Sequence, residues 1–184
     1  MDSVAGKVLI AIPDLPDSNF FRTVVFVMEH TVEGAMGVIL NRPMNLDVPK
    51  LWAKLDPEVE VHRSEAVFLG GPVDGPVLAL HDQYGFADEQ VIPGVFMSMT
   101  TPRLNQLVVS GDAQLKVFSG YSGWGPEQLD MEIESGGWLV SEVEADDVFN
   151  NDEEFWKEIC ERYGQQTVFD NILPNNPKID PNLN

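Results

Sequence analysis

The stretch GAMGVILNRP at residues 34–43 predicts a β-strand that ends at a proline. Its aliphatic and β-branched residues favour extended backbone, and Pro43 cannot donate a hydrogen bond to a ladder. Residues 22–28, which are rich in β-branched and aromatic side chains, precede it and predict a partner strand. The polar dipeptide Glu33-Gly34 separates the two. The pair therefore predicts a hairpin with residues 29–32 near its turn.

Short apolar runs on either side of this hairpin, separated by glycine and proline, predict the remaining elements. Further strands are expected at residues 7–12, 66–69, 77–80, 95–99, 115–119 and 138–143, and helices at 48–55, 101–110, 127–134 and 153–163. Strands that are adjacent in sequence are often hairpin-like, and helices lie between groups of strands. This order favours an α+β fold with a mixed, largely antiparallel sheet over a doubly wound parallel sheet.

The chain has 184 residues, the length of one ordinary domain, and it shows neither an internal repeat nor a long linker. We predict a single domain over residues 1–172. The remaining residues, 173–184, are rich in proline and asparagine and poor in apolar side chains. That composition predicts an extended tail.

Composition predicts a protein of the cytoplasm. Hydrophobic residues make up 43% of the chain and charged residues 22%, the balance of a globular protein. The single cysteine, Cys160, rules out an intramolecular disulfide and suits a reducing compartment. The first residues lack the basic charge of a signal peptide, and no stretch approaches the roughly 20 apolar residues of a membrane span.

The charge balance argues against direct binding of nucleic acid. The chain carries 30 acidic and 11 basic residues, a formal charge of −19. Proteins that bind DNA or RNA normally neutralise several phosphates with lysine and arginine. Here the basic residues are scattered along the chain, so the charge is better explained by solubility and mutual repulsion.

Four segments resemble the AlgH/YqgE-like family in order and spacing. They are LIAIP (9–13) continuing to FFRTVV (20–25), EH (29–30) continuing to GAMGVILNRP (34–43), FLGGPV (68–73), and GYSGWGPEQL (120–129). The resemblance implies a compact domain whose sheet is bifurcated and partly closed like a barrel, surrounded by helices. It also implies a transcriptional-regulator label without agreed catalytic residues.

The glycine-rich segment at residues 120–126 has two interpretations. Glycines between a strand and a helix can bind an anion through backbone N–H groups. The G-x-x-G-x-G order matches neither a dinucleotide loop nor a Walker A loop, however. The alternative, which we favour, is a tight turn that lets Trp124 enter the core. Ser122 also lacks the G-x-S-x-G context of a hydrolase nucleophile.

Metal ligation and redox chemistry find little support in the sequence. The three histidines, His30, His62 and His81, are not spaced as metal ligands, and the acidic run at residues 142–154 lacks the glycine of a calcium loop. Cys160 falls on the apolar face of the last predicted helix, where a small core residue is expected. We predict no metal, no cofactor and no catalytic residue.

The best candidate for a binding site is a polar cluster on the first hairpin. In an antiparallel pair the start of one strand meets the end of the other, so Arg22 should lie near Asn41 and Arg42. Two neighbouring arginines can hold an anion, or internal acids can pair them. The candidate set comprises Arg22, Glu29, His30, Asn41, Arg42, Tyr121 and Trp124. The hypothesis requires Arg22, His30, Asn41 and Arg42 to line an open cleft together with the two aromatic residues.

These features favour a non-enzymatic binding or regulatory module that engages a protein partner or a small anionic ligand. A hydrolase or transferase acting on a phosphorylated or nucleotide substrate is the alternative. It would use residues 120–126 with His30 or His81 as acid and base. A transcriptional regulator is a third hypothesis, and it rests on the family label alone.

Overall fold

The structure is a computed structural model that describes residues 2–13, 17–152 and 154–172. The tail predicted at residues 173–184 lies outside the described residues. The strands are β1 (Val8–Ala11), β2 (Val24–Thr31), β3 (Gly34–Ile39), β4 (Pro43–Asp47), β5 (Ala66–Leu69), β6 (Leu78–His81), β7 (Glu89–Ile92), β8 (Val95–Ser98), β9 (Leu115–Ser119), β10 (Ser122–Trp124) and β11 (Trp138–Ser141). The helices are α1 (Val48–Leu55), α2 (Thr101–Val109), α3 (Gln128–Glu134), α4 (Ala145–Val148) and α5 (Phe155–Ile172), with a 3₁₀ turn at Tyr84–Phe86.

The strands form two sheets, and the chain runs directly from a strand of one sheet into a strand of the other. The first has the order β10-β3-β2-β1-β11 and is antiparallel throughout, and the second has the order β4-β5-β9-β6-β8-β7. In the second sheet β5 and β9 run parallel while the other pairs are antiparallel. The chain passes from one sheet to the other twice, from β3 into β4 and from β9 into β10. The predicted α+β fold with a mixed, largely antiparallel, bifurcated sheet is confirmed.

The two sheets meet at a glycine seam, which we define as the contact of Gly70-Gly71 with Gly120-Tyr121. The carbonyl of Gly70 accepts from Ile39 N at 2.9 Å, and its N–H donates to Ser119 O at 3.0 Å. A Cβ added to Gly70 would lie 2.2 Å from the carbonyl oxygen of Gly120. Gly70, Gly71 and Gly120 are therefore required by the close approach of two backbones.

The core has an inner layer between the sheets and an outer layer on each of them. The inner layer joins side chains such as Phe26 of β2 and Phe118 of β9, and α5 closes it with Phe155. On the outer face of the first sheet Leu129 of α3 packs against β-strand residues. On the outer face of the second sheet Trp52 of α1 packs with side chains of α2. Burying apolar side chains on both faces makes the sheets the rigid frame of the molecule.

Several predicted elements have the observed bounds, and others needed correction. Helix α1, β5 and β9 begin and end where the sequence predicted. Strand β2 extends to Thr31, three residues beyond its predicted end, so Glu29 and His30 pair with Met36 and Ala35 within the strand while lying near the turn as predicted. Strands β4 and β7, helix α4 and the strand β10 within residues 120–126 were missed. Helix α5 continues past Gly164, because a glycine costs a helix only about 1 kcal/mol.

Among the described residues, no helix combines the length and the apolar character that crossing a bilayer requires.

Candidate functional site

The structure divides the seven candidate residues into three groups. Arg22, Asn41 and Arg42 lie where β2 begins and β3 ends, as the hairpin register predicted. Glu29 and His30 lie near the opposite end of the eight-residue strand β2. A strand rises about 3.3 Å per residue, so they are far from Arg22 along the strand. Tyr121 and Trp124 lie at the seam and in β10. Ligand binding by any of the seven stays a prediction.

Asn41 and Arg42 fix the conformation of the loop at residues 17–23. Asn41 Nδ2 donates to Arg22 O at 2.9 Å, while Asn41 Oδ1 accepts from Val24 N at 2.9 Å. The two terminal nitrogens of Arg42 donate to Asn19 O at 2.6 Å and to Phe21 O at 3.0 Å. Arg42 is therefore committed to main-chain carbonyls, and its role in the structure is to position this loop.

Arg22 has an unusual backbone and an aromatic setting. Its φ of 53° lies in the left-handed region, which non-glycine residues seldom adopt. Its guanidinium carbon lies 5.1 Å from the ring centroid of Phe21 and 5.5 Å from that of Trp156. Trp156 is anchored by an indole N–H that donates to Ala11 O at 2.9 Å. We call Phe21, Arg22 and Trp156 the arginine–aromatic surface.

The two alternatives for the neighbouring arginines now have a structural answer. Within residues 2–13, 17–152 and 154–172, neither Arg22 nor Arg42 forms an ion pair with a carboxylate. Backbone carbonyls accept the hydrogen bonds of Arg42, whereas the guanidinium of Arg22 lies over two aromatic rings. Phe21 beside it is 50% exposed, so this surface presents an apolar ring and a cation to solvent.

His30 lies in a second environment, between the N-terminal segment and α3. Its Nδ1 accepts from Val4 N at 3.2 Å, which places the ring proton of the neutral form on Nε2. Nε2 faces Asp130 Oδ1 at 3.7 Å, too far for a hydrogen bond. That oxygen is buried and has no hydrogen-bond partner among the described residues. In this tautomer Nε2 carries the proton and the lone pair of Nδ1 accepts from Val4 N–H. Neither ring nitrogen is therefore free to take a proton from a substrate.

Ser122 and His81, the other residues considered for hydrolysis, are part of the core. Ser122 is buried, and its hydroxyl donates to Gly70 O at 3.0 Å. His81 is also buried, with Nδ1 accepting from Gln83 N at 3.2 Å and Nε2 2.9 Å from the hydroxyl of Ser98. The Ser98 hydroxyl in turn donates to Phe86 O. These partners fix His81 as the Nε2–H tautomer and give both residues structural roles.

Burial lowers the pKa of His81 from 6.5 to about 4. Between these values the unfolded state binds a proton that the folded state does not, so acidification favours unfolding. We expect the free energy of unfolding to fall by up to about 3 kcal/mol between pH 6.5 and pH 4 because of His81. Urea titrations at several pH values should show this loss in the wild type and a smaller loss in His81→Gln. Equal losses in the two proteins would contradict the assignment.

The glycine segment at residues 120–126 has the structure of a turn and a strand. Gly120 has a φ of 73°, and β10 pairs with β3 directly after it. The N–H of Tyr121 donates to Val73 O at 3.0 Å, and that of Gly125 donates to Gln128 Oε1 at 3.1 Å. These amides have protein partners, and Trp124 enters the core with 6% of its surface exposed. The geometry therefore favours the tight-turn interpretation over an anion-binding loop.

A cavity of about 510 Å³ opens on the other side of the same loop. It lies between residues 17–20 and α3, and its aromatic wall consists of Phe20, Trp124 and Trp138. Glu132 accepts from both indole N–H groups, at 2.9 and 2.8 Å. Of these residues, only Trp124 belongs to the candidate set predicted from the sequence. The signal that could have found Glu132 was its position within the helix that follows the GYSGWGPEQL motif.

Comparisons with known sequences point to one family. The AlgH-like family matches residues 8–168. A UPF0301 protein of Myxococcus xanthus is 37% identical over 155 residues, which cover 83% of this chain and 86% of that protein. A UPF0301 protein of Thermobifida fusca is 35% identical over 192 residues, which cover 97% of this chain and 96% of that protein.

Solved structures agree on the architecture. The solution structure of the AlgH protein from Pseudomonas aeruginosa matches with a TM-score of 0.74 and 23% identity, covering 96% of each chain. The crystal structure of protein DIP2367 from Corynebacterium diphtheriae matches with a TM-score of 0.69 and 25% identity, covering 88% of each chain. At this level of identity the likeness to the AlgH protein shows the fold and leaves the activity open.

Proposed function

The chain belongs to the AlgH-like family, and we propose that it is a non-enzymatic binding module whose arginine–aromatic surface engages a carboxylate of a partner protein. The observation that carries the proposal is the guanidinium of Arg22, which ring faces hold in place in a strongly acidic chain without a carboxylate partner among the described residues. A cytoplasmic location, favoured by the single cysteine, belongs to the same proposal.

Local strain at Arg22 supports a role in recognition. A non-glycine residue in the left-handed region costs about 1–2 kcal/mol and persists only where its surroundings enforce it. Here the hydrogen bonds of Asn41 and Arg42 enforce it from both sides of the loop. The backbone that carries Arg22 is thereby fixed before a partner arrives, which reduces the entropy lost on binding.

The chemistry of the surface favours a protein partner over a small free anion. Arginine and tryptophan are enriched at the energetic centres of protein interfaces, and the exposed ring of Phe21 adds apolar contact beside the charge. A planar guanidinium binds a carboxylate through two parallel hydrogen bonds. A small free anion would form only these two hydrogen bonds, without the apolar contact that a protein partner adds. The net charge of −19 would also repel it.

The structural roles of Ser122, His81 and His30 count against the hydrolase alternative. Ser122 and His81 are buried and hydrogen-bonded, and Nδ1 of His30 accepts from the backbone. A regulatory role that acts through a partner protein agrees with the charge balance better than direct contact with DNA does.

Quantitative affinity capture tests the proposal with a matched control. We expect at least one protein from a lysate of the source bacterium to be enriched on the wild type and lost on Arg22→Gln. Removing an interface centre of this kind costs about 2 kcal/mol or more, roughly a 30-fold loss of affinity. Arg162→Gln makes the same charge change at an exposed arginine that already pairs with Asp147 at 2.7 Å, and it should retain the partner.

A direct titration then separates a protein partner from a small anion. Acetate and phosphate are added to the wild type while the Arg22 side-chain Nε–H signal is followed by NMR. Saturation by either ion at low millimolar concentration, together with no protein captured through Arg22, would replace the partner protein with a small anionic ligand. A partner that Arg22→Gln still binds at wild-type affinity would refute the role of this surface.

A further inference from the structure

The cavity between residues 17–20 and α3 combines an aromatic wall with uncompensated negative charge. We infer that it binds a small organic cation, with the cationic group near Glu132 and Asp17 and an apolar body against Phe20. The inference concerns a different site from the arginine–aromatic surface and does not depend on it. Its volume of about 510 Å³ lies within the range of small-molecule sites, about 300–1,000 Å³.

Three aromatic rings pack together and shape the apolar side of the cavity. Phe20 meets Trp138 edge-on at a centroid distance of 5.2 Å and stacks on Trp124 at 6.1 Å with an interplanar angle of 19°. Both tryptophans are more than nine-tenths buried, so Phe20 provides the accessible ring. Ile12 and Pro72 extend the apolar lining. A flat or aliphatic group can therefore bury its surface here.

Glu132 gives the cavity a charge that the protein does not neutralise. Its Oε2 accepts from the indole nitrogens of Trp124 and Trp138, and its Oε1 accepts from Gln128 Nε2 at 2.9 Å. All these donors are neutral, so they orient the carboxylate without adding any positive charge beside it. Glu132 has no ion-pair partner in the described part of the chain.

The remaining lining adds negative charge and no positive charge. Asp17 lies at the cavity, where one of its carboxylate oxygens accepts from Asn19 N at 2.8 Å. Lysine, arginine and histidine do not occur among the described residues that line the cavity. Two carboxylates beside apolar walls attract a cation more strongly than they would in open water. The net charge of −19 acts in the same direction.

The two faces of the loop keep this cavity apart from the arginine–aromatic surface. Phe20 turns toward Trp124 and Trp138, whereas the guanidinium of Arg22 lies over Phe21 and over Trp156 of α5. The cavity thus selects positive charge while the neighbouring surface selects negative charge. An experiment that rules out binding at one of the two sites would therefore not count against binding at the other.

A matched pair of probes tests the inference: tryptamine and its uncharged analogue tryptophol, in which a hydroxyl replaces the amine. The four tryptophans give indole N–H signals in a ¹⁵N–¹H spectrum, assigned by single Trp→Phe variants. We expect tryptamine to shift the signals of Trp124 and Trp138, whose N–H groups donate to Glu132. The signals of Trp52 and Trp156, which donate to Asn105 and Ala11, should stay in place.

The expected difference between the two probes is large enough to measure. Tryptamine should bind with a Kd of about 1 mM or lower, and tryptophol about tenfold more weakly. Equal affinities would show an apolar site without charge recognition and would overturn the inference. An absence of shifts in the Trp124 and Trp138 signals up to about 10 mM tryptamine would overturn it as well.

Two substitutions in the cavity test whether its negative charge binds the amine, and unchanged reference signals show that the variants fold. Asp17→Asn keeps the hydrogen bond to Asn19 N and removes one charge, so it should weaken tryptamine about threefold or more and leave tryptophol unchanged. Glu132→Gln should have the larger effect, with folding checked by the unmoved signals of Trp52 and Trp156. Glu58→Gln removes an exposed carboxylate from a separate groove and should leave both probes unchanged. Tryptamine affinity that Asp17→Asn and Glu132→Gln do not alter would refute the charge assignment.

Discussion

Gly70→Ala is expected to lower the free energy of unfolding by about 3 kcal/mol or more. The new Cβ would lie 2.2 Å from the carbonyl oxygen of Gly120, a backbone atom that cannot turn away as a side chain can. Both strands at this point are held by hydrogen bonds, from Gly70 N to Ser119 O and from Ile39 N to Gly70 O. Relief of the clash therefore requires moving the end of β5 away from the connection between β9 and β10.

The matched control is Gly85→Ala, where a new Cβ would meet no atom within 4 Å. We expect this change to alter the stability by about 0.5 kcal/mol or less. Urea denaturation followed by tryptophan fluorescence gives both values from the transition midpoints. If Gly70→Ala lowered the free energy of unfolding no more than Gly85→Ala does, the backbone at the glycine seam could move to accommodate a side chain, and the steric argument would be wrong.

The position of the seam explains what the glycine motifs do. Gly34 begins β3, and a Cβ there would lie 2.2 Å from Trp124 O. Gly37, Gly70 and Gly120 likewise stand where one backbone crosses another. Gly70 and Gly120 thus serve the bifurcation of the sheet, whereas Gly34 and Gly37 allow close pairing of neighbouring strands within the first sheet. Recognition is expected from side chains displayed around this frame, above all on the loop at residues 17–23.

The sequence predicted elements well where local signals agreed. Helix α1 was predicted with the observed bounds, because Asp47 caps Lys50 N and Pro49 stands in the first turn. Strands β4 and β7 were missed because they are edge strands with polar residues, such as Glu89-Gln90, where apolar alternation is weak. Their pairing depends on neighbouring strands that a local pattern does not contain.

Contacts between side chains in the candidate site could likewise be predicted only where they follow from local pairing of strands. Hairpin register was enough to bring Arg22 close to Asn41 and Arg42. The ring of Trp156 reaches Arg22 from a helix more than a hundred positions away, and Glu132 reaches two indoles through tertiary packing. Contacts of this kind follow from the packing of helices on sheets, which sequence spacing does not encode.

Lys116 carries a buried amine whose protonation in the unfolded state should make stability depend on pH above neutrality. It lies in β9 with 1% of its surface exposed, and its Nζ donates to Leu40 O at 2.9 Å and to Asn150 O, above the ring of Phe68 at 4.6 Å. Burial lowers the pKa of Lys116 from 10.5 to about 7. A neutral amine has two hydrogens, which satisfy the two carbonyl acceptors without a desolvated charge.

Between pH 7 and pH 10.5 the unfolded state therefore binds a proton that the folded state lacks, so raising the pH stabilises the fold. We expect Lys116 to add up to about 1.4 kcal/mol per pH unit in this window. Urea titrations at pH 7, 8 and 9 should show the wild type gaining stability relative to Lys116→Met, which cannot titrate. Lys54→Met, an exposed control, should follow the wild type. Parallel curves for the wild type and Lys116→Met would mean that Lys116 stays charged in the folded protein, with the two carbonyls and the Phe68 ring offsetting its burial.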